Sequence, residues 1–208
     1  MADHRSSAPQ ARTRLARRAV LDAAGSLFLE GGYGATTIGA ISRASDVPQA
    51  TVYRLFASKL GILKALVDGS VTGGDEPVPL AERLPVRALL NAADPRQQLA
   101  GLAAVSVDIN TRTAPIYGIL SSAASSDQEA AALFDELTQQ RQHGQGRVAA
   151  SLARSGSLRP GLRARDAADI IHALASPELY RLLVIDRRWA VERYERWLAD
   201  ALAQQLLE

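Results

Sequence analysis

The chain has 208 residues, no cysteine, 47% hydrophobic and 22% charged residues, so it is long enough to bury a core, and disulfides and thiolate metal sites are excluded. Its longest charge-free run, Thr113 to Ser126, has 14 residues with Pro115 and five Ser or Thr among them, short of the roughly 20 apolar residues a membrane helix needs; with no signal-type apolar run near the start, a cytoplasmic protein with no membrane partner is expected. The net charge of +2 is unevenly spread: residues 1–64 hold 9 Lys and Arg against 4 Asp and Glu, and residues 65–208 hold 15 against 18, and local positive charge is what neutralising a polyanion requires.

Residues 1–11 are polar, with Pro9 and two Ser, and read as a disordered arm. From Arg12 to Glu30, Ala16, Val20, Ala23, Ala24, Leu27 and Phe28 recur at three- and four-residue spacing, which predicts an amphipathic helix closed by Gly31 and Gly32. Thr36 and Thr37 offer an N-cap for a two-turn segment carrying Ile38, Ala40, Ile41 and Ala44, which stops at Ser45 and Asp46. Pro48 to Phe56 forms a third helix, with Val52, Leu55 and Phe56 on one side and Ala50, Tyr53 and Arg54 on the other. Ser58 caps a fourth, Lys59 to about Val71, and the Gly, Asp and Pro residues of 72–79 break the chain.

Beyond that break the pattern predicts helices from Pro95 to about Thr113, Pro115 to about Ser125, and Asp127 to Arg154, the last with a capping box between Ser126 and Glu129. Gly156, Pro160 and Gly161 form a linker. Asp166 to about Asp186, kinked and restarted at Ser176-Pro177-Glu178, and Arg188 to Leu207 close the chain. Period-two alternation of useful length is missing throughout, so the fold class is all-α.

A two-turn helix, a short turn and a second helix with a polar outer side is the pattern of a helix-turn-helix, whose second helix enters the major groove of DNA. Its outer residues must be small or hydrogen-bonding, and its back apolar. Gln49 can present an amide to a base edge, Thr51 a hydroxyl and a methyl, and Tyr53 and Lys59 can reach phosphates.

The run Thr36-Thr37-Ile38, Ile41, Ala44, Val47, Thr51-Val52-Tyr53-Arg54-Leu55-Phe56 and Ser58-Lys59, preceded by Phe28 to Gly34, resembles the DNA-binding domain of TetR-family transcriptional regulators. The resemblance covers most of residues 14–66. It implies a phosphate contact at Thr37, base-facing Gln49, Ala50 and Thr51, and backbone contacts from Tyr53 and Lys59, with Arg54 on the same outer side. Asp46 stands where the family usually has Gly, and Asp enters the left-handed region more readily than most residues. The implied layout is a disordered arm (1–11), a helix-turn-helix domain (12–71) and an effector-binding and dimerisation domain (72–208), with about nine helices in all. The implied partners are double-stranded operator DNA, a small-molecule effector and a second copy paired through the last two helices. Independently, residues 166–207 carry more apolar side chains, from Ile170 to Leu202, than one monomer face needs.

In the body, Asp108, Asn110 and Tyr117 interrupt an apolar stretch, and with His172 they are the candidates for lining an effector cavity, since burying them unpaired would be costly. Asp166, Asp169 and His172 share a helical face, but the aspartates suit a helix first turn, so no metal is expected. Gly32-Tyr33-Gly34 lacks the third glycine of a dinucleotide loop, and no catalytic constellation is found, so neither a cofactor nor an enzyme is expected. The reading is a dimeric, ligand-responsive regulator, most simply a repressor. A helical small-molecule-binding or scaffolding protein without a specific DNA target is the alternative.

Overall fold

The computed structural model describes residues 7–72, 88–89 and 92–207. Among them the regular elements are α1 (Ser7–Ala35), α2 (Ile38–Ser45), α3 (Gln49–Phe56), α4 (Lys59–Thr72), α5 (Pro95–Ala124), α6 (Gln128–Arg154), α7 (Ala164–Leu174), α8 (Pro177–Tyr180), a π-helical turn (Arg181–Asp186) and α9 (Val191–Leu206). The all-α class is therefore observed, and no helix among the described residues is long and apolar enough to cross a membrane. The first six residues of the expected arm, and the expected break from Gly73 onward, lie outside the described residues. At Ser7 the chain is already helical, because Pro9 falls in the first turn, where its missing N–H interrupts no bond.

The chain separates into two compact units. The first contains the residues up to Gly69 and also Gly118–Leu133, a piece remote in sequence. In it Val20, Ala24 and Phe28 of α1, Ile41 of α2, Val52 and Phe56 of α3, and Ile62 and Leu63 of α4 are buried, each contributing about 1.5–3 kcal/mol for a fully covered large side chain. The path of α1 breaks at Gly32, whose φ of 80° suits a residue without Cβ. Beyond the break the Thr36 hydroxyl lies 2.9 Å from the Gly32 carbonyl and 3.2 Å from that of Leu27.

The second unit contains Ser70–Tyr117 and Phe134–Glu208. Its core joins Leu99, Leu102 and Val107 of α5, Val148 and Leu152 of α6, Ile171 of α7, Tyr180 of α8, and Tyr194, Leu198, Leu202 and Leu206 of α9. Most of the apolar excess read in residues 166–207 is thus used inside this unit. Leu182 and Ile185 of the π-helical turn remain about half exposed.

Three local expectations are corrected. Pro115 does not divide a helix: α5 runs unbroken through it, because burial of Thr113, Ala114, Ile119 and Leu120 around it outweighs the roughly 3 kcal/mol an interior proline costs. The cap of α6 is Asp127 rather than Ser126, since its Oδ1 accepts from the amides of Glu129 and Ala130, both at 3.0 Å, in the usual reach of an N-cap to the second and third residues. Pro48 is the N-cap of α3 and not its first helical residue. The restart at Ser176 is observed, with Ser176 Oγ accepting from Leu179 N at 3.1 Å. After it the helix widens to a π turn across which Arg181 and Asp186 pair at 2.7 Å, a five-residue separation that matches one π turn.

Candidate nucleic-acid interface and interior polar cluster

The first site is set by how α2 and α3 are joined. Thr37 Oγ1 accepts from the amide of Ala40 at 3.1 Å and caps α2. Asp46 ends α2 in the left-handed region, φ 54° and ψ 30°, with its amide on the Ser42 carbonyl. Ser42 then donates to the Val47 carbonyl at 2.7 Å, closing the turn. Pro48, whose carbonyl receives the amides of Thr51 and Val52, starts α3.

On α3, Val52 is fully buried and Phe56 nearly so, while Tyr53 is 51% exposed. Gln49, Ala50 and Arg54 are exposed and Thr51 is half-buried, so these five form one outward face. The Gln49 amide leans over the start of α2, where a Cβ on Gly39 would lie 3.3 Å from its Nε2, 3.7 Å from Arg43 and 3.8 Å from the Thr37 hydroxyl. Thr37, Arg43 and Gln49 are thereby gathered at one helix N-terminus, a geometry suited to an anionic oxygen. The Arg17 guanidinium covers the Phe56 ring at 4.7 Å.

Lys59 is placed differently from the other expected DNA contacts. Its ammonium donates to the carbonyls of Tyr33 at 2.7 Å, Thr36 at 3.0 Å and Gly34 at 3.5 Å and lies 4.2 Å from the centre of the Tyr33 ring. Partial burial lowers its pKa, opposed by the charge of Asp127, and Tyr33 is raised by burial and then by Asp127 and Glu129. Lys59 therefore ties the end of α1 and the start of α2 to α4. Its acceptors are 23–26 residues upstream, so nothing in the local motif reveals this use. The α3–α4 joint is equally tight. Ala57 takes φ 62°, Ser58 Oγ accepts the Gly61 amide at 3.0 Å, and a Cβ on Gly61 would meet the Phe56 carbonyl oxygen at 1.9 Å.

The second site lies within the other unit, and the four body candidates fare differently in it. Asp108 is exposed and paired with Arg112, one turn along α5. Asn110 is buried and donates to the Ala175 carbonyl at 3.2 Å, serving the end of α7. Only Tyr117 and His172 meet in one cluster, through Arg141. His172 Nδ1 is 2.9 Å from Gln145 Oε1, and His172 Nε2 is 3.1 Å from an Arg141 terminal nitrogen. The Arg141 guanidinium stands 5.6 Å from the Tyr117 ring centre, whose hydroxyl pairs with Thr138 at 3.1 Å and whose ring packs on Phe134 at 5.0 Å.

A guanidinium only donates, so His172 Nε2 accepts and the imidazole proton resides on Nδ1, donated to Gln145. Burial, reinforced by the Arg141 charge, depresses the His172 pKa, with Glu178 and Asp169 opposing. The imidazole is thus held neutral. Arg141 Nε and Nη1 are covered yet have no hydrogen-bond acceptor, which costs about 1–3 kcal/mol for each such group. Thr138, Arg141 and Gln145 went unnoticed in the sequence. Their signal is the α6 stripe 138, 141, 145, 148, 152, polar at one end and continuing into the buried Val148 and Leu152.

Residues 20–66 match the family model described as bacterial regulatory proteins, tetR family. No curated protein matches the chain. Among solved structures, NalD, the secondary repressor of the MexAB-OprM multidrug efflux pump in Pseudomonas aeruginosa, has a TM-score of 0.74 at 23% identity over 94% of this chain and 98% of its own. The ketosteroid transcriptional regulator KstR2 of Mycobacterium tuberculosis has a TM-score of 0.63 at 19% identity, covering 92% and 95% of the two chains. For a SmeT–triclosan complex the score is 0.67 at 17% identity, covering 93% and 92%. At these identities the likeness is one of fold, and it extends over nearly the full length of each pair.

Proposed function

We propose that this chain, whose residues 20–66 carry a helix-turn-helix domain of the tetR family of bacterial regulatory proteins, is a dimeric transcriptional regulator, a repressor that leaves its operator when a small molecule binds the body. The observation that carries this reading is the division of α3, with Val52 and Phe56 sealed inside and Gln49, Ala50, Tyr53 and Arg54 turned out. Those outward groups have the size and hydrogen-bonding capacity that base edges and phosphates require. Thr37 and Arg43 flank them for backbone contact, and Thr51 stands at the margin.

Pairing through α7 to α9 is supported by the exposed Leu182 and Ile185 and by Trp189 and Trp197, which are only partly covered within the unit. Two recognition helices on a dimer read a palindrome, with half-sites about one helical turn, roughly 34–36 Å, or a multiple apart. A ligand that binds better to the arrangement with wrongly spaced heads shifts the population off DNA, since a single head retains only weak, largely electrostatic affinity. NalD is a repressor and SmeT was solved with triclosan bound; both facts belong to those proteins and favour this reading by similarity of fold alone.

The test is fluorescence anisotropy with the promoter DNA that flanks the chain's own coding region. Saturable binding that outcompetes bulk DNA and weakens steeply with salt is expected. Equal affinity for every duplex would favour a helical binding or scaffolding protein instead.

A further inference from the structure

We infer that Arg141 anchors a binding site for a small organic acid, a carboxylate carried on an apolar or aromatic body, and that such acids are the class of molecule to which the body responds. The second half of this statement rests on the ligand-responsive reading above; the first half does not.

Arg141 spends one nitrogen on His172, which is neutral and itself committed to Gln145, so the imidazole accepts a hydrogen bond but supplies no negative charge. Among the described residues the carboxylate paired with Arg141 is Glu178, with Oε2 at 3.9 Å from Nη1, beyond hydrogen-bonding distance. Glu178 is also 57% exposed, whereas the Arg141 side chain is 20% exposed, so the cation is more enclosed than this anion. Arg141 Nε and Nη1 remain covered and without an acceptor. A covered guanidinium with two idle donors is best served by an anionic oxygen acceptor, and hydrogen bonds between ionised partners are the strong ones. Beside it the Tyr117 and Phe134 rings form an aromatic pair, which supplies the apolar wall for the rest of the acid. A cationic ligand would meet the like charge of Arg141, and a neutral amide would offer the donors a weaker acceptor.

Glu178 then acts as a loose internal occupant. It sits on the short α8, directly before the π-helical turn, and an incoming carboxylate takes its place next to Nη1 while Glu178 turns to solvent. This gives the proposal two substitutions of opposite sign. Arg141→Met should weaken acid binding by at least about tenfold, Arg141→Lys should restore part of it, and Glu178→Gln should tighten it several-fold by removing the competitor.

The experiment is isothermal titration of the full chain with benzoate, 3-phenylpropanoate and octanoate, each beside its neutral amide, with circular dichroism to verify that every variant is folded. Preference for acid over amide, lost in Arg141→Met and enhanced in Glu178→Gln, is the expected result. Equal binding of acids and amides, acid binding unchanged in Arg141→Met, or no binding by any of the acids would overturn the site. Anisotropy on the operator separates the two levels. Arg141-dependent binding of acids that leaves DNA affinity unchanged keeps the site and removes acids as the effector class. Release of DNA by a neutral or cationic molecule, equally well in Arg141→Met, keeps the regulator and removes acids as its signal.

Discussion

In the unit built around α3, the partly buried ammonium of Lys59 has three carbonyl oxygens within 3.5 Å; in the unit built around α5 and α6, the guanidinium of Arg141 keeps two covered nitrogens, Nε and Nη1, with no acceptor. The first arrangement is chemically closed. Its internal polar groups are spent on holding α1, α2 and α4 in place, and whatever it recognises must be met by its outer surface. The second is chemically open, with unsatisfied donors inside it. On the readings proposed above, one unit presents groups and the other receives them, and this contrast can be broken or sharpened by substitution.

The largest effect is expected at Gly61. A methyl there would overlap the Phe56 carbonyl, so Gly61→Ala should cost at least about 3 kcal/mol and abolish DNA binding, read as a lowered thermal midpoint. Lys59→Met should lose about 2 kcal/mol of stability from its carbonyl contacts. If Lys59 is spent inside the head, the slope of log affinity against log salt stays unchanged in this variant, whereas a lost phosphate contact would reduce it by roughly 0.9. Next comes a neighbouring pair. Val52→Ala should cost about 2 kcal/mol of stability, while Tyr53→Ala should change stability by less than about 0.5 kcal/mol and reduce operator affinity by roughly tenfold. The reverse ranking would return Tyr53 to the core. Ala57→Gly should gain about 1 kcal/mol by relieving a positive φ on a residue with Cβ, visible as a rise in thermal midpoint.

The smallest effect concerns pH and the receiving unit. His172 has a pKa below its ordinary value because burial disfavours the imidazolium. The unfolded chain therefore takes up this proton first, and stability should fall as pH drops below about 6.5 toward the depressed native value. His172→Gln should flatten that part of the pH–stability curve, and an unchanged curve would show that the imidazole titrates freely.

The helix-turn-helix was legible because its signals are local. Thr37, Asp46 and Ser58 act within three or four residues of their own positions, and the spacing of Val52 and Phe56 states which side of α3 is inward. Pro115 misled because a local rule was overridden by burial on either side of it, and the cap of α6 was misplaced by one residue because Ser126 and Asp127 are both good caps. The interior cluster was half legible. His172 stood out as a titratable group on an amphipathic helix, but its partners Arg141 and Gln145 are 31 and 27 residues away, a separation no periodicity encodes. Asp108 looked like the same kind of residue and is instead paired along its own helix.

The joint between α3 and α4 limits how the protein could be re-engineered. With the Phe56 carbonyl oxygen 1.9 Å from where a Gly61 Cβ would stand, the joint has no room for even one methyl group. If the chain reads an operator as proposed, a library aimed at new sequences has freedom at the outward positions 49, 50, 53 and 54 and essentially none at 52, 56 or 61, so altered specificity would come from exchanging side chains on a fixed rod.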